Sequence, residues 1–252
     1  MFTQLGLMSD SSCGLAAAGE AFCWGENADG QLGDGALTDR TAPVAVQGGH
    51  VFRLLATAGG QRVNHMCGVT TADALLCWGD GASGQLGDGT ATDRTAPTPI
   101  VGGGAWTAVA IGDGYSCGTL VDGSPRCWGA NAEGQLGDGT TTPRLAPTAI
   151  PGAPAVNQVA VGQGHTCALT PAGAAFCWGG NGHGQLGDGT TTMRLAPVAV
   201  RGGHVFTALA AGEDHVCALR ADSAILCWGE NDHGQIGDGS HSDRASPTAV
   251  GG

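Results

Sequence analysis

The sequence predicts an all-β fold, a β-propeller of five four-stranded antiparallel blades, from three observations. The stretch CWGENDHGQIGDGSHSDRASP, running from Cys227 to Pro247, recurs five times, starting at Cys23, Cys77, Cys127, Cys177 and Cys227. The first cysteines of the copies (Cys13, Cys67, Cys117, Cys167 and Cys217) are 54, 50, 50 and 50 residues apart, and periods of roughly 20–50 residues mark solenoids, propellers or arrays. Each period holds four short apolar runs, and no segment keeps the 3.6-residue repeat of a helix. A solenoid would need shorter, more uniform coils, whereas four strands per period suit one sheet per repeat. The chain reads as a single domain over 1–252, with repeats at approximately 1–50, 51–104, 105–154, 155–204 and 205–252.

The fifth copy shows the elements in order. Val205 to Ala210 alternates apolar and small residues as a first strand, and Val216 to Leu219 is the second. Ala224 to Trp228 is the third. The fourth is expected to start at Pro247, since proline suits the opening of an edge strand. The second copy is four residues longer, and the excess falls between Thr57 and Asn64, where it should lengthen a loop and leave the core register alone. If repeats coincide with blades, ring closure rests on packing of the first blade against the fifth.

Each copy carries a Cys-x9-Cys pair: Cys13/Cys23, Cys67/Cys77, Cys117/Cys127, Cys167/Cys177 and Cys217/Cys227. Gly19, Gly123 and Gly173 suit the left-handed position of a three-residue hairpin loop. That register sets the two cysteines of a pair directly opposite, within disulfide reach. Disulfides are the favoured reading and imply an oxidising compartment. Ten buried thiols remain an alternative; a zinc site would want closer cysteine spacing.

The loop between the third and fourth strands holds Trp-Gly, then Gly-Gln-(Leu/Ile)-Gly-Asp-Gly, an Arg and a Pro in every copy. Trp24, Trp78, Trp128, Trp178 and Trp228 follow a cysteine and so point to the opposite face of the sheet, where an indole can fill the gap to a neighbouring blade. Leu32, Leu86, Leu136, Leu186 and Ile236 are expected to plug the loop into the core. Gln31, Gln85, Gln135, Gln185 and Gln235 can bond loop backbone in both directions. Asp34, Asp88, Asp138, Asp188 and Asp238 can pair with Arg40, Arg94, Arg144, Arg194 and Arg244; five identical copies point to structure. Trp-Gly-x-Asn-x-x-Gly-Gln-Leu-Gly-Asp-Gly followed by Arg and Pro, with His-x-Cys-Ala-Leu upstream, resembles the regulator of chromosome condensation repeat over essentially the whole chain. The resemblance implies a propeller acting by protein–protein contact, usually with seven blades, so five repeats form either a five-bladed ring or part of a larger one. The cysteine pairs and acidic balance resemble a secreted bacterial relative. No exchange-factor residue of that family can be placed here.

Function is bounded by charge. The chain has 22 acidic residues against 10 basic ones, all arginine, for a net charge of −12, which repels phosphate backbones and anionic lipid surfaces. No nucleic-acid partner and no membrane insertion are expected. The start, MFTQLGLMSDSSCGL, lacks the basic region and apolar core of a signal peptide and reads as that of a mature or excised domain, so an extracellular or periplasmic location is compatible with it. Gly114-Tyr115-Ser116-Cys117-Gly118 spells a nucleophile elbow, but it falls at a strand start, not at a strand-to-helix turn. Gly79 to Gly84 spells G-x-G-x-x-G with no helix to follow. Asn27-Ala28-Asp29-Gly30 hints at a calcium loop whose key columns change between copies. No enzyme, no cofactor and no metal are therefore expected.

The positions that vary between copies are where a specific function can sit. In a four-stranded meander the loops between strands one and two lie beside those between strands three and four. They carry Glu26, Asp29, Asp80, Asp113, Tyr115, Glu133, His165, His183, Glu213, Asp214, His215, Glu230, Asp232 and His233. The expected site is this acidic, histidine-bearing rim, with a protein partner that is basic or metal-bearing. A glycan-binding propeller and a structural or assembly module are the alternatives, and monomer against homo-oligomer is left open.

Overall fold

In the computed structural model, which describes residues 1–58 and 63–251, the hairpin of each repeat forms as its turn chemistry requires. Gly19, Gly123 and Gly173 take φ of +87°, +83° and +82° at the loop between the second and third strands. Asp73 and Ser223 hold the same left-handed conformation in the other two copies, with φ of 61° and 68°. This loop sets Cys13 opposite Cys23, and likewise Cys67/Cys77, Cys117/Cys127, Cys167/Cys177 and Cys217/Cys227. All five pairs are disulfide-bonded, with Cα atoms 4.1 Å apart in each.

Blade 1 comprises β1 (Phe2–Leu7), β2 (Ser11–Ala16), β3 (Ala21–Gly25) and β4 (Arg40–Ala45). Blade 2 comprises β5 (Phe52–Leu55), β7 (His65–Thr70), β8 (Leu75–Gly79) and β9 (Arg94–Pro99), with a short β6 (Thr57–Ala58) following β5. Blade 3 is β10 (Trp106–Ile111), β11 (Tyr115–Leu120), β12 (Pro125–Gly129) and β13 (Arg144–Ala149). Blade 4 is β14 (Gln158–Val161), β15 (His165–Leu169), β16 (Ala175–Gly179) and β17 (Arg194–Ala199). Blade 5 is β18 (Phe206–Ala211), β19 (His215–Arg220), β20 (Ile225–Gly229) and β21 (Arg244–Ala249). Within each blade consecutive strands are antiparallel neighbours. First strands of successive blades touch at three junctions, β1 with β5, β10 with β14 and β14 with β18, while β10 meets β6 and β7 of blade 2, so the first strands lie nearest the axis.

Two expectations need correction. The fourth strands begin at the Arg column, three residues before the proline, because the backbone rejoins the sheet where Arg244 pairs with Gly229. The inserted segment of the second copy is also more than a longer loop. It starts with β6, which leaves its own blade and pairs in parallel with Ala110 and Ile111 of β10 in blade 3. The register of β5 on β7 is kept, with Phe52 opposite Thr70 as Phe2 is opposite Ala16. The remainder of that insertion, 59–62, lies outside the described residues.

Each blade's indole points back towards the preceding blade, and its cystine points forward. Trp78, Trp128, Trp178 and Trp228 are 0–1% exposed. Each donates its Nε1–H to the main-chain oxygen of Gln31, Gln85, Gln135 or Gln185 in the blade before, at 2.8–3.1 Å. The glycine two residues past that glutamine lies flat against the indole; a Cβ on Gly33, Gly87, Gly137 or Gly187 would come within 2.7–2.8 Å of the ring. A backbone bond completes each junction: the amides of Gly35, Gly89, Gly139 and Gly189 donate to the carbonyls of Thr95, Leu145, Leu195 and Ala245 in the following blade. Four junctions thus repeat one set of contacts.

The fifth junction is not made. Trp24 donates to no carbonyl among the described residues, and Gly237 and Gly239 have no neighbour from blade 1. On blade 1, Phe2, Leu5 and Leu7 are 43%, 61% and 61% exposed, whereas Phe52, Leu55 and Ile111 in the same columns are 0–2% exposed. On blade 5, Leu219, Ile225 and Val250 are 39–47% exposed, whereas Leu169, Ala175 and Val200 of blade 4 are 2–9%. The five blades form an open arc with one uncovered face at each end.

Candidate functional site: the acidic loop face

The loops between strands one and two and those between strands three and four share one face. A backbone bond joins them in every blade: the amides of Glu26, Asp80, Ala130, Gly180 and Glu230 donate to the carbonyls of Asp10, Asn64, Gly114, Gly164 and Asp214. Beneath this surface a buried asparagine holds the long loop in four blades. Asn131 Nδ2 donates to the carbonyls of Thr140 and Thr142 and to Asp138, while its Oδ1 accepts from the amide of Leu136. Asn27, Asn181 and Asn231 repeat the pattern. In sequence this asparagine stands in the repeated loop motif, but its type alone assigns it no role. Its signal was present in four copies, with Gly81 in the fifth, where a Cβ would lie 2.2 Å from the Thr92 carbonyl.

The Asp–Arg pairs form within each blade, at 2.5–2.7 Å between Arg Nη2 and Asp Oδ2. Burial alone would raise the carboxyls of Asp34, Asp88, Asp138 and Asp188. Hydrogen bonds from the adjacent arginine and from the chain two residues on outweigh it and hold them below the usual carboxylate range. Asp238 is held at about 2, chiefly by Ser240 and then by Arg244. The glutamine side chains bond loop backbone in one direction only, Oε1 accepting from the backbone two residues earlier at 2.8–2.9 Å, while Nε2 of Gln31, Gln185 and Gln235 donates to the carboxylates of Glu26, Asp214 and Glu230. The glutamine main-chain oxygens, which take the indole bond, were not foreseen.

The variable residues separate into two groups on this face and a set that lies elsewhere. Over blades 1 and 2, Gln31 reaches Glu26 at 3.5 Å, and Asn64 donates to Asp29 at 3.1 Å across the junction. Asp80 sits beside them with its carboxyl raised, first by burial and then by the charges of Asp93 and Asp29. Asp93, absent from the expected rim, is the residue before the Arg column; it accepts from the amide of Gly81, as Asp39 and Asp243 do from Asn27 and Asn231. Over blades 3 to 5, the carboxylate of Glu133 lies in a notch left by Gly164 and Gly180, where a Cβ would come within 2.4 Å and 2.0 Å of it. Desolvation there and the charge of Asp214 raise its pKa. Gln185 donates to Asp214 at 2.9 Å, and Glu213, Asp214 and Glu230 surround the half-buried His215. His183 bridges blades 4 and 5 through a 2.9 Å contact with Asp243, which raises its pKa. Asp113 is half-buried near this group, and Asp232 and His233 pair with each other at the exposed tip of blade 5.

Tyr115 and His165 are not on the rim. Both are fully buried between blades, because the first-to-second-strand loops carry glycine at Gly112 and Gly162, and a Cβ there would strike these same rings. Tyr115 donates to the carbonyl of His165 at 2.5 Å and its hydroxyl pKa is raised by burial. His65 is likewise buried, with Nε2 2.9 Å from Ser116 Oγ. His165 has no hydrogen-bond partner on either ring nitrogen among the described residues. Burial depresses His65 and His165 to about 3. Both rings are then neutral in the fold but titrate near 6.5 in the unfolded chain. Because the folded pKa is lowered, the unfolded state binds more protons, and stability falls as pH drops from about 6.5 towards 3. Two such rings should cost roughly 4 kcal/mol between pH 7 and 5. Urea unfolding at the two pH values measures this, and His165→Leu, which leaves no polar partner unpaired, should remove about half of it. Equal midpoints at pH 7 and 5 would show that the rings titrate normally.

A regular repeat of Trp-Gly and Gly-Gln-Leu-Gly-Asp-Gly loops over four-stranded blades defines a class of propeller. The regulator of chromosome condensation (RCC1) repeat matches residues 18–63, 73–118, 127–169 and 172–219, and a second description of the same repeat matches 156–185 and 206–235. The chain belongs to the RCC1 repeat family. It is 37% identical over 106 residues to the ultraviolet-B receptor UVR8 of Arabidopsis thaliana, a match covering 41% of this chain and 24% of the receptor. It is 33% identical over 81 residues to the human E3 ubiquitin-protein ligase HERC2, covering 32% of this chain and 2% of the ligase. Among solved structures, human WBSCR16 has a TM-score of 0.86 at 23% identity, covering all of this chain and 67% of that one. Yeast RCC1 (Prp20), solved with Kap60 bound, has a TM-score of 0.86 at 21% identity and 61% coverage of its chain. At these identities the structures share the fold. RCC1-type propellers often bind proteins, and no helix of this chain is long and apolar enough to cross a membrane.

Proposed function

We propose that this chain is a non-enzymatic, disulfide-stapled scaffold that binds a basic protein through its acidic loop face, in an oxidising compartment outside the cytosol. The observation that carries the reading is the crowding of like charge on that face. Asp80 and Glu133 are each raised first by burial and then by neighbouring carboxylates, Asp93 and Asp29 for the one and Asp214 for the other, while the arginines of the loop column are each committed to an aspartate within their own blade. Crowded carboxylates on a rigid scaffold gain when a cation arrives, and loops on such a scaffold are where recognition concentrates. Five buried or near-buried cystines favour the oxidising location.

The test is a panel of arginine- and lysine-rich proteins and peptides titrated at two ionic strengths. Binding should weaken with salt, and Glu133→Lys with Asp214→Lys should lower affinity at least tenfold, the scale of one or two lost charge pairs. Lowering the pH should also weaken binding, since protonating Glu133 and Asp80 removes the charge that attracts the partner, and their raised pKa values move that loss upward in pH. Affinity that ignores salt and both substitutions would refute a charge-based loop-face site.

A further inference from the structure

At each internal junction of the loop face, the residue before Gly-Gln of one blade meets the residue after Trp-Gly of the next. The pairs are Asp29 with Asp80, Ser83 with Ala130, Glu133 with Gly180 and His183 with Glu230. The charge of Asp29 reaches Asp80, Glu133 fills the space beside Gly180, and the charge of Glu230 reaches His183. Ser83 and Ala130 meet over Gly114, where a Cβ would lie 3.4 Å from the hydroxyl of one and 3.6 Å from the methyl of the other. The junction between blades 2 and 3 is thus the neutral step, with an acidic junction on either side. It is also hollow. An open groove of about 390 Å³ is lined there by Ala82, Ser83, Ala130, Ala132, Pro143 and Leu145, with no charged side chain on its walls among the described residues. Its alanines leave it empty because each stops at Cβ, whereas blade 5 carries Glu230 and Asp232 in the same columns. Leu145 packs on Gly84, where a Cβ would strike it at 2.6 Å, and stays 41% exposed.

We propose that this groove seats one apolar side chain of a bound basic segment, with cationic residues before and after it resting on the acidic junctions to either side. The proposal rests on the acidic loop face being the binding face, and it adds what that face reads: an order of cation, apolar residue and cation. Charge complementarity sets the register. A segment lying along the arc passes the carboxylates of Asp29 and Asp80, then the groove, then Glu133 in its notch. Arg94 and Arg144, on the two blades that form the groove, are held by Asp88 and Asp138 at 2.5 Å and 2.6 Å, so neither competes for the flanking carboxylates. A cation placed in the groove would meet no carboxylate on its walls. An apolar side chain placed on either flank would desolvate carboxylates without pairing them. A purely basic segment would bind but forgo the apolar contact, which for a leucine-sized side chain is worth about tenfold in affinity.

Matched peptides test this on the whole chain. Each carries arginines on both sides of a central position, joined by Gly/Ser spacers of graded length, and the members of a pair differ only in leucine or serine at the centre. The leucine peptide should bind about tenfold tighter than its serine partner. Because that gain is apolar, the ratio should hold as added salt weakens both. Ala132→Gln extends a side chain into the groove from blade 3 and should bring the ratio close to one; Ala82→Gln does the same from blade 2. Both alanines are exposed, so the fold should survive, and melting curves check it. Equal affinities of the paired peptides for the unaltered chain, at every spacer length, would overturn the groove and leave the acidic face standing. A leucine advantage that survives both substitutions would place the anchor elsewhere and overturn it too. Failure of every peptide to bind at low salt would remove the acidic-face reading, and the groove proposal with it.

Discussion

Reducing the five cystines unfolds the chain. Each closes a loop of sequence separation 10, and loop-closure entropy gives roughly 3 kcal/mol for each. Even if these contributions add to only half their sum, they approach the 5–15 kcal/mol by which ordinary domains are stable at all. Far-UV circular dichroism with and without reductant, followed by alkylation, should show loss of the β signal at room temperature in the reduced sample. The order of reduction should also be uneven. Cys217 faces the uncovered end of blade 5 and is partly accessible, whereas both cysteines of each other pair are 0% exposed. Partial reduction and mass mapping should find Cys217–Cys227 opened first. A reduced chain that melts within a few degrees of the oxidised one would mean the blades hold without their staples.

The second large effect separates indoles that look alike in sequence. Trp128→Ala removes a buried side chain from a junction, an expected loss of about 3–5 kcal/mol, and deprives the Gln85 carbonyl of its indole donor at 2.8 Å. The Ser116 hydroxyl still reaches that carbonyl at 2.9 Å, which softens the polar part of the cost. Trp24→Ala deletes the same residue from the same column, but its ring is partly exposed, meets no carbonyl, and packs mainly on Phe2 at a 6.1 Å centroid distance. That change should cost about 1 kcal/mol, as at a half-exposed position away from a packed junction. Denaturant midpoints measured on dilute protein, below any association, give both values. Equal losses would mean that Trp24 is buried against a fifth junction.

The difference between these two tryptophans shows what a sequence of this kind can and cannot say. Blade number, the four-strand meander, the cystine register and the Asp–Arg pairs were legible because five copies align against one another, and a column that never changes reports a need shared by every blade. The missing junction was not legible. Trp24, Leu5 and Leu7 carry the same kinds of side chain as their buried counterparts, since the letters describe the surface a blade offers and not whether a neighbour accepts it. The rim was legible as acidic and only partly as a surface. Tyr115 and His165 read as loop residues because polar rings at a strand start resemble a binding edge. The glycines at 112 and 162, which make room for them between blades, were the counter-signal. Asp93 and Asn131 went unassigned because their partners lie across a loop whose path the sequence does not trace.

The open arc is the claim on which the end faces and the unequal tryptophans depend, and one measurement addresses it directly. Of the six tryptophans, Trp78, Trp106, Trp128, Trp178 and Trp228 are at most 2% exposed, and Trp24 alone is partly open. Acrylamide quenching of indole fluorescence on dilute monomer should reveal one accessible component among six, and Trp24→Phe should abolish it. Six equally protected indoles in a species of monomer mass would mean that blade 1 packs on blade 5 and the ring is closed.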